Sequence, residues 1–485
     1  MLFNSYEFIF FFLPVTFVGF FVIARYHHRL AAFWLVAASF FFYGWWNPRY
    51  VVLLLASIGF NYAMGYAIGH ARRGDASTPR AKLFLVLAVG GDLLLLGYYK
   101  YTDFFISTTN ALAGTDWALT HIVLPLGISF FTFTQIAFLV DVYRGIAREY
   151  NPIHYMLFAS YFPHLIAGPV LHHKQMMPQF DKPGTYRLNV ANINVGLTIF
   201  TIGLFKKVIL ADQFALYANP VFYAAASGNK VTLIEAWIGA LAYTFQLYFD
   251  FSAYSDMAIG LSKLFNVDLP VNFNSPYKAL NIIDFWRRWH MTLSAFLRDY
   301  LYFPLGGNRH GTTRRYVNLM VTMVLGGLWH GANWTFVLWG TLHGFYLVVN
   351  HGWQALSKHL ALPKIPGSAF AAGTITFIAV VIGWIVFRAT SFAAATLMLR
   401  GIAGLNGIGS LAQAAPHVPF SPALVAVWLA AGLAMVKLVP NSLEIAAGLE
   451  TWKYRGRLLG YAAGAVLAFV ILNFNKVSTF IYFQF

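Results

Sequence analysis

Cysteine is absent from the 485-residue chain. Its absence excludes a thiol nucleophile, an acyl-cysteine intermediate, disulfides and a cysteine-bound metal. Charge is scarce as well: Asp, Glu, Lys and Arg make up 10% of the residues, too few to clothe a soluble protein of this length. Acidic residues are the scarcer sign, 17 against 33 Lys and Arg, for a formal net charge of +16. The basic residues are spread among short loops and form no soluble basic face. The excess is therefore read as the bias that keeps Lys and Arg on the cytoplasmic side, with membrane lipid or an anionic ligand as secondary partner and no nucleic acid. No basic residue precedes the first apolar run and no small-residue cleavage site follows it, so that run is expected to stay as a membrane helix and not to leave as a signal peptide.

What the chain has instead is hydrophobicity: 59% apolar residues and a mean hydropathy of +0.61. About 20 apolar residues span a bilayer. The long runs and short loops predict one all-α, polytopic membrane domain over residues 1–485 with roughly ten to thirteen passes. Segments are expected near 8–24, 30–46, 51–70, 83–101 and 122–142. The loops after the first, third and fifth carry Arg25 and Arg29, Arg72 to Lys82, and Arg144 with Arg148, whereas the loop at 103–120 has neither Lys nor Arg. This alternation places the start outside and the basic loops in the cytoplasm. Towards the other end, the Lys- and Arg-free loop at 404–422 reads as outside and the loop at Lys453 to Arg457 as cytoplasmic.

Two stretches depart from simple spans. Residues 155–187 are broken by Pro163, Gly168, Pro169 and Pro178, and read either as a re-entrant or interfacial segment or as a cytoplasmic loop. In the helix expected at 195–212, Lys206 and Lys207 stand near one end, where long stems snorkel to the interface. A later helix carries Gln246, Asp250 and Tyr254 four residues apart, one polar face. Asp250 and Asp256 are expected to pair with nearby Lys or Arg and not to act directly in chemistry.

The densest polar chemistry lies between Asn281 and Gly344. It reads Asp284-Phe-Trp286-Arg287-Arg288-Trp289-His290-Met-Thr292-Leu-Ser294, then Arg298-Asp-Tyr-Leu-Tyr-Phe-Pro-Leu-Gly-Gly307, then Gly326-Gly327-Leu-Trp329-His330-Gly331-Ala-Asn333-Trp334. An ionisable side chain at membrane depth is a functional candidate. A neutral imidazole can take a proton from an attacking alcohol and pass it to a leaving thiolate. His330 suits that role, with glycines that leave room for a ligand and Trp329 and Trp334 as a wall against water. The alternative for either histidine is a hydrogen-bonded packing residue. His290 is expected in the same cavity, where it orients the base or holds the acyl donor. Arg287, Arg288 and Arg298, with Trp329 and Asn333, are candidates for holding that donor, since guanidinium forks suit phosphates. Ordinary cytoplasmic charge is the competing reading for each arginine. No acidic or thiol ligand stands at metal spacing from either histidine, so no metal site is expected.

At these motifs, together with Gln246 to Gly260 and the end from Phe480 to Phe485, the sequence resembles the membrane-bound O-acyltransferase family, in particular its bacterial alginate O-acetyltransferase branch. The resemblance covers essentially the whole chain. It implies a ring of transmembrane and re-entrant helices around a central tunnel, with His330 as the catalytic histidine and His290 as its companion. It further implies a bacterial inner-membrane enzyme that takes acetyl from cytoplasmic acetyl-CoA. The acetyl group then passes to a polysaccharide acceptor, directly or through a periplasmic acetyltransferase partner. A polysaccharide or solute transporter and a secretion scaffold are the readings from other classes.

Overall fold

The computed structural model describes residues 1–72, 74, 76–147, 151–361, 366–409, 421–451, 456–474 and 480–481. The described residues are helical, with no strand. In chain order the first helices are α1 (Leu13–Ala24), α2 (His28–Gly44), α3 (Arg49–Ala71), α4 (Pro79–Leu96), α5 (Thr102–Ala113), α6 (Ile128–Arg144) and α7 (Pro152–Ser160). Next come α8 (His173–Met176), α9 (Val190–Phe205), α10 (Asp212–Ala226), α11 (Leu233–Leu264), α12 (Ile282–Arg288) and α13 (Met291–Leu297). The last are α14 (Gly311–His330), α15 (Trp334–His359), α16 (Ser368–Arg388), α17 (Phe392–Ile402), α18 (Pro422–Leu438), α19 (Ser442–Thr451) and α20 (Gly456–Leu472). Among the described residues, four continuous helical stretches are long and apolar enough to cross a membrane, or five if a bent pair counts as one span. The chain is a polytopic, all-helical membrane protein, and many of its apolar segments are short or interrupted. Much of the loop expected outside at 404–422 and of the basic loop at 453–457 lies outside the described residues, as do Arg148 and the last four residues.

The chain divides into two compact units, Met1–Leu204 with Tyr254–Val271 and Ala446–Thr479, and Phe205–Ala253 with Asn272–Ile445 and Phe480–Phe485. In the first unit, buried polar pairs tie apolar helices together. Asn61 donates to Asp92 at 2.8 Å across α3 and α4, and Gln135 donates to Ser57 at 2.9 Å across α6 and α3. Helices α9 and α11 meet backbone to backbone, since a Cβ on Gly196 would stand 2.7 Å from the Gly260 carbonyl oxygen. Such close approach gains dispersion contacts where no hydrophobic drive separates helix from lipid. The first half of the broken stretch, residues 157–171, is buried within this unit, whereas residues 181–184 are exposed: Tyr161, Phe162, Leu165 and Leu171 are hidden, and the Phe162 amide donates to Ser39. The buried part fits the re-entrant reading and not that of an ordinary loop, because irregular backbone at depth needs internal partners. The helical stretch Pro79–Ala113 also runs eleven residues into what the charge pattern reads as the loop beginning at Asp103. Hydropathy marks where a helix leaves lipid, not where it unwinds.

In the second unit, Lys207 overturns the snorkelling expectation. It sits in a π-helical turn, Lys206–Ala211, between α9 and α10, with 1% of its surface exposed. Its ammonium donates to Asp212 at 2.9 Å and to Asp250 of α11 at 2.8 Å. The second Asp250 oxygen accepts from the Ile481 amide at 2.9 Å, while the Phe480 ring lies 4.8 Å from the Lys207 nitrogen. Two carboxylates within reach make burial of the charge tolerable, so the stem turns inward. Asp250 thus pairs with a lysine, as expected.

Candidate active site

Asp284 to Phe303 does not form one amphipathic helix. Helix α12, capped by the Asn281 side chain on the Asp284 amide, ends at Arg288, and α13 starts at Met291. In the break His290 adopts a left-handed backbone, φ 44° and ψ 52°. A non-glycine residue there carries a strain of about 1–3 kcal/mol that its surroundings must hold. The preceding segment does so: the Asn274 amide donates to the Arg288 carbonyl and the Met291 amide to the Asn272 carbonyl, both at 2.9 Å.

Asn272, wholly buried, also fixes the His290 ring. Its Oδ1 accepts from the Thr292 amide at 3.3 Å and from the Thr292 hydroxyl at 3.0 Å. A backbone N–H can only donate, so the shared atom is oxygen, and the His290 Nδ1 found 3.1 Å from it must carry the proton. In the neutral ring the lone pair is then on Nε2. Phe251 closes edge-on against the ring at 4.8 Å between centroids.

His330 is the last residue of α14, and its ring centroid lies 6.3 Å from that of His290. The structure therefore brings together the two histidines that the sequence singles out. Around His330 stand Trp329 at 5.0 Å, Trp339 at 5.2 Å and Phe387 at 5.3 Å. Trp329 is buried beside it, as expected of a wall, but Trp334 is 47% exposed and plays no such part. Trp339 and Phe387, one and two elements further on, supply the apolar wall instead.

The glycines act differently from the expectation that they open room for a ligand. A Cβ on Gly327 would fall 2.2 Å from the Phe336 carbonyl, and one on Gly331 would fall 2.0 Å from the Phe336 ring. Their bare faces are occupied by α15. They let α14 and α15 touch, which fixes where α14 stops and so where His330 points.

The donor-binding candidates separate. Arg288 is ion-paired with Asp284 at 2.9 Å, and Arg298 forks onto its neighbour Asp299 at 2.7 and 3.0 Å. Arg287 is exposed on α12. Asn333 caps α15: its oxygen accepts from the Thr335 amide and its nitrogen donates to the Thr390 carbonyl. Sequence reasoning missed Asn272, whose context of aromatic and apolar neighbours has no period to read. It also missed His343, wholly buried and ringed by Trp286, Trp339 and Trp384. Its spacing of thirteen residues from His330 on a separate helix carries no local signal.

Residues 143–396 match the model of the membrane-bound O-acyltransferase family. This chain is a member of that family. Its relatives extend the match over most of its length. The peptidoglycan O-acetyltransferase of Helicobacter pylori is 46% identical, over 84% of this chain and 81% of the relative. A probable alginate O-acetylase of Pseudomonas aeruginosa is 44% identical over 83% of this chain and 75% of its own. The teichoic acid D-alanyltransferase of Bacillus subtilis is more distant, 28% identical over 56% of this chain. The O-acyltransferase is thus an enzyme, which sets aside the transporter and scaffold readings, and both histidines fall within the matched residues.

Proposed function

We propose that the protein is a multi-pass enzyme of the bacterial inner membrane that takes acetyl from cytoplasmic acetyl-CoA for O-acetylation of an alginate-like exopolysaccharide. Transfer is direct or passes through a periplasmic acetyltransferase. The observation that carries the reading is the pair of buried imidazoles, one with its tautomer set by Asn272, with ring centroids 6.3 Å apart in an aromatic surround. In this scheme His330 accepts the proton of the attacking hydroxyl as its oxygen bonds to the thioester carbonyl carbon. The carbon–sulfur bond then breaks, and the proton passes from His330 to the leaving thiolate. Asn272 keeps the second imidazole, that of His290, fixed beside the reacting carbonyl. Trp329, Trp339 and Phe387 limit water that would hydrolyse the thioester. Of the arginines, Arg287 is the one best placed to meet donor phosphates, with Arg288 and Arg298 joining only if they exchange their carboxylates for phosphate.

The Helicobacter relative favours a second acceptor, peptidoglycan, whose sugar hydroxyl offers the same chemistry. The test is acetyl transfer from labelled acetyl-CoA by purified protein in proteoliposomes, with alginate and peptidoglycan fragments supplied in turn. His330→Ala is expected to lose at least about a hundredfold in rate while its thermal unfolding stays as in the parent. Full activity in that variant would remove His330 from the mechanism.

A further inference from the structure

The second unit holds an apolar crevice of about 810 Å³ whose lining includes neither His290 nor His330. That volume is in the range of small-molecule sites, about 300–1,000 Å³. Helices α16 and α18 contribute most of its lining, with Leu241 and Phe245 from α11. Among the described residues the lining is hydrocarbon apart from Thr374 and two cations, Lys278 and Lys437, and no carboxylate joins them. Each ammonium is held by one backbone carbonyl. Lys278 donates to Val439 at 3.0 Å and Lys437 to Tyr277 at 2.6 Å. An ammonium has three donors, so each anchored nitrogen keeps capacity for an anion.

Position sharpens the chemistry. Lys437 stands one residue before α18 ends, where the helix dipole already gathers negative charge and stabilises cations. The crevice opens past Phe370, which is 82% exposed, and Leu433, which is 43% exposed. For a membrane-spanning chain that surface faces lipid. The alternation of charged loops assigns the lysine end to the cytoplasmic side, where anionic headgroups meet basic pockets between helices. Neutral lipid needs only the apolar walls. Two anchored lysines at one end of a hydrocarbon slot, with no acidic residue in the lining, complement a molecule that is part hydrocarbon and part anion.

We propose that this crevice binds one anionic phospholipid, its acyl chain along Phe245 and Phe377 and its phosphate on Lys278 and Lys437. The site is separate from the acyl-transfer site and does not depend on which acceptor is used. Native mass spectrometry of the full-length protein, released from nanodiscs of phosphatidylcholine and phosphatidylglycerol in equal amounts, tests it. One phosphatidylglycerol is expected to be retained over phosphatidylcholine by about tenfold or more. K278Q/K437Q is expected to bring the ratio close to one. Ala430→Trp, which fills the exposed side of the slot, is expected to lower retention of both lipids. If the double variant unfolds, Lys278→Gln and Ala430→Trp alone carry the same test. No preference in the parent protein, an unchanged preference in the lysine variants, or full retention in Ala430→Trp would each overturn the proposal. So would complete displacement by inorganic phosphate at the lipid's own concentration, because the hydrocarbon part would then contribute nothing.

Discussion

A single oxygen, Asn272 Oδ1, sets the state of the candidate catalytic centre at the scale of residues. It holds the His290 proton on Nδ1 and ties down Thr292, so it acts through the imidazole and not on substrate. Asn272→Ala is expected to lower kcat by about a hundredfold, the loss typical of a misplaced reacting group, with KM little changed. Asn272→Asp keeps an acceptor oxygen and should recover part of that loss. Steady-state kinetics with labelled acetyl-CoA separate the two variants, and equal loss in both would leave Asn272 with a packing role alone. Arg298→Gln offers a contrast. Its guanidinium already forks onto Asp299, so this change should raise the donor KM less than Arg287→Gln does.

Glycines decide the geometry at the scale of elements. Gly327 lies against the Phe336 carbonyl, and Gly340 reciprocally against that of Met323, with added Cβ atoms at 2.2 and 2.3 Å. Backbone cannot yield as the end of a flexible side chain can, so the helices must separate. Gly327→Val and Gly340→Val are each expected to destabilise the folded protein by about 1–3 kcal/mol and to reduce acetyl transfer, because His330 ends the helix that moves. Thermal unfolding in detergent, read beside the transfer rate, checks both effects. Loss of stability with an unchanged rate would show that the α14–α15 contact does not position His330.

A buried charge cluster, Lys207 with Asp212 and Asp250, joins sequence-distant parts of the chain at the scale of the whole molecule, since Asp250 also receives the Ile481 amide. Breaking such a pair strands a charge away from water. Asp250→Asn and Lys207→Met should each destabilise by about 3–5 kcal/mol. K207M/D250L should recover much of that, as apolar replacements of buried pairs often do. Unfolding of the three variants in one detergent decides whether the pair couples. Topology is open to a test the native sequence makes easy, because it contains no cysteine. Ala118→Cys is expected to react with an impermeant maleimide in intact cells, and Ser77→Cys only after the membrane is opened. The reverse pattern would invert the orientation read from the basic loops.

The sequence by itself determined the class of protein, because composition decides whether a chain dissolves in water or in lipid. It also marked His290 and His330, because ionisable groups in apolar surroundings are rare enough to stand out without coordinates. Helix cores such as α3 and α16 were legible from hydropathy, and the break at 155–187 from its prolines and Gly168, but not the π turns or the left-handed His290, because those depend on partners far along the chain. Only the tertiary structure decided that Lys207 points inward, that the glycines beside His330 serve a neighbouring helix, and that Asn272 holds the second imidazole. Each of these turns on which atoms meet across long sequence separations, and no local pattern of residues records that.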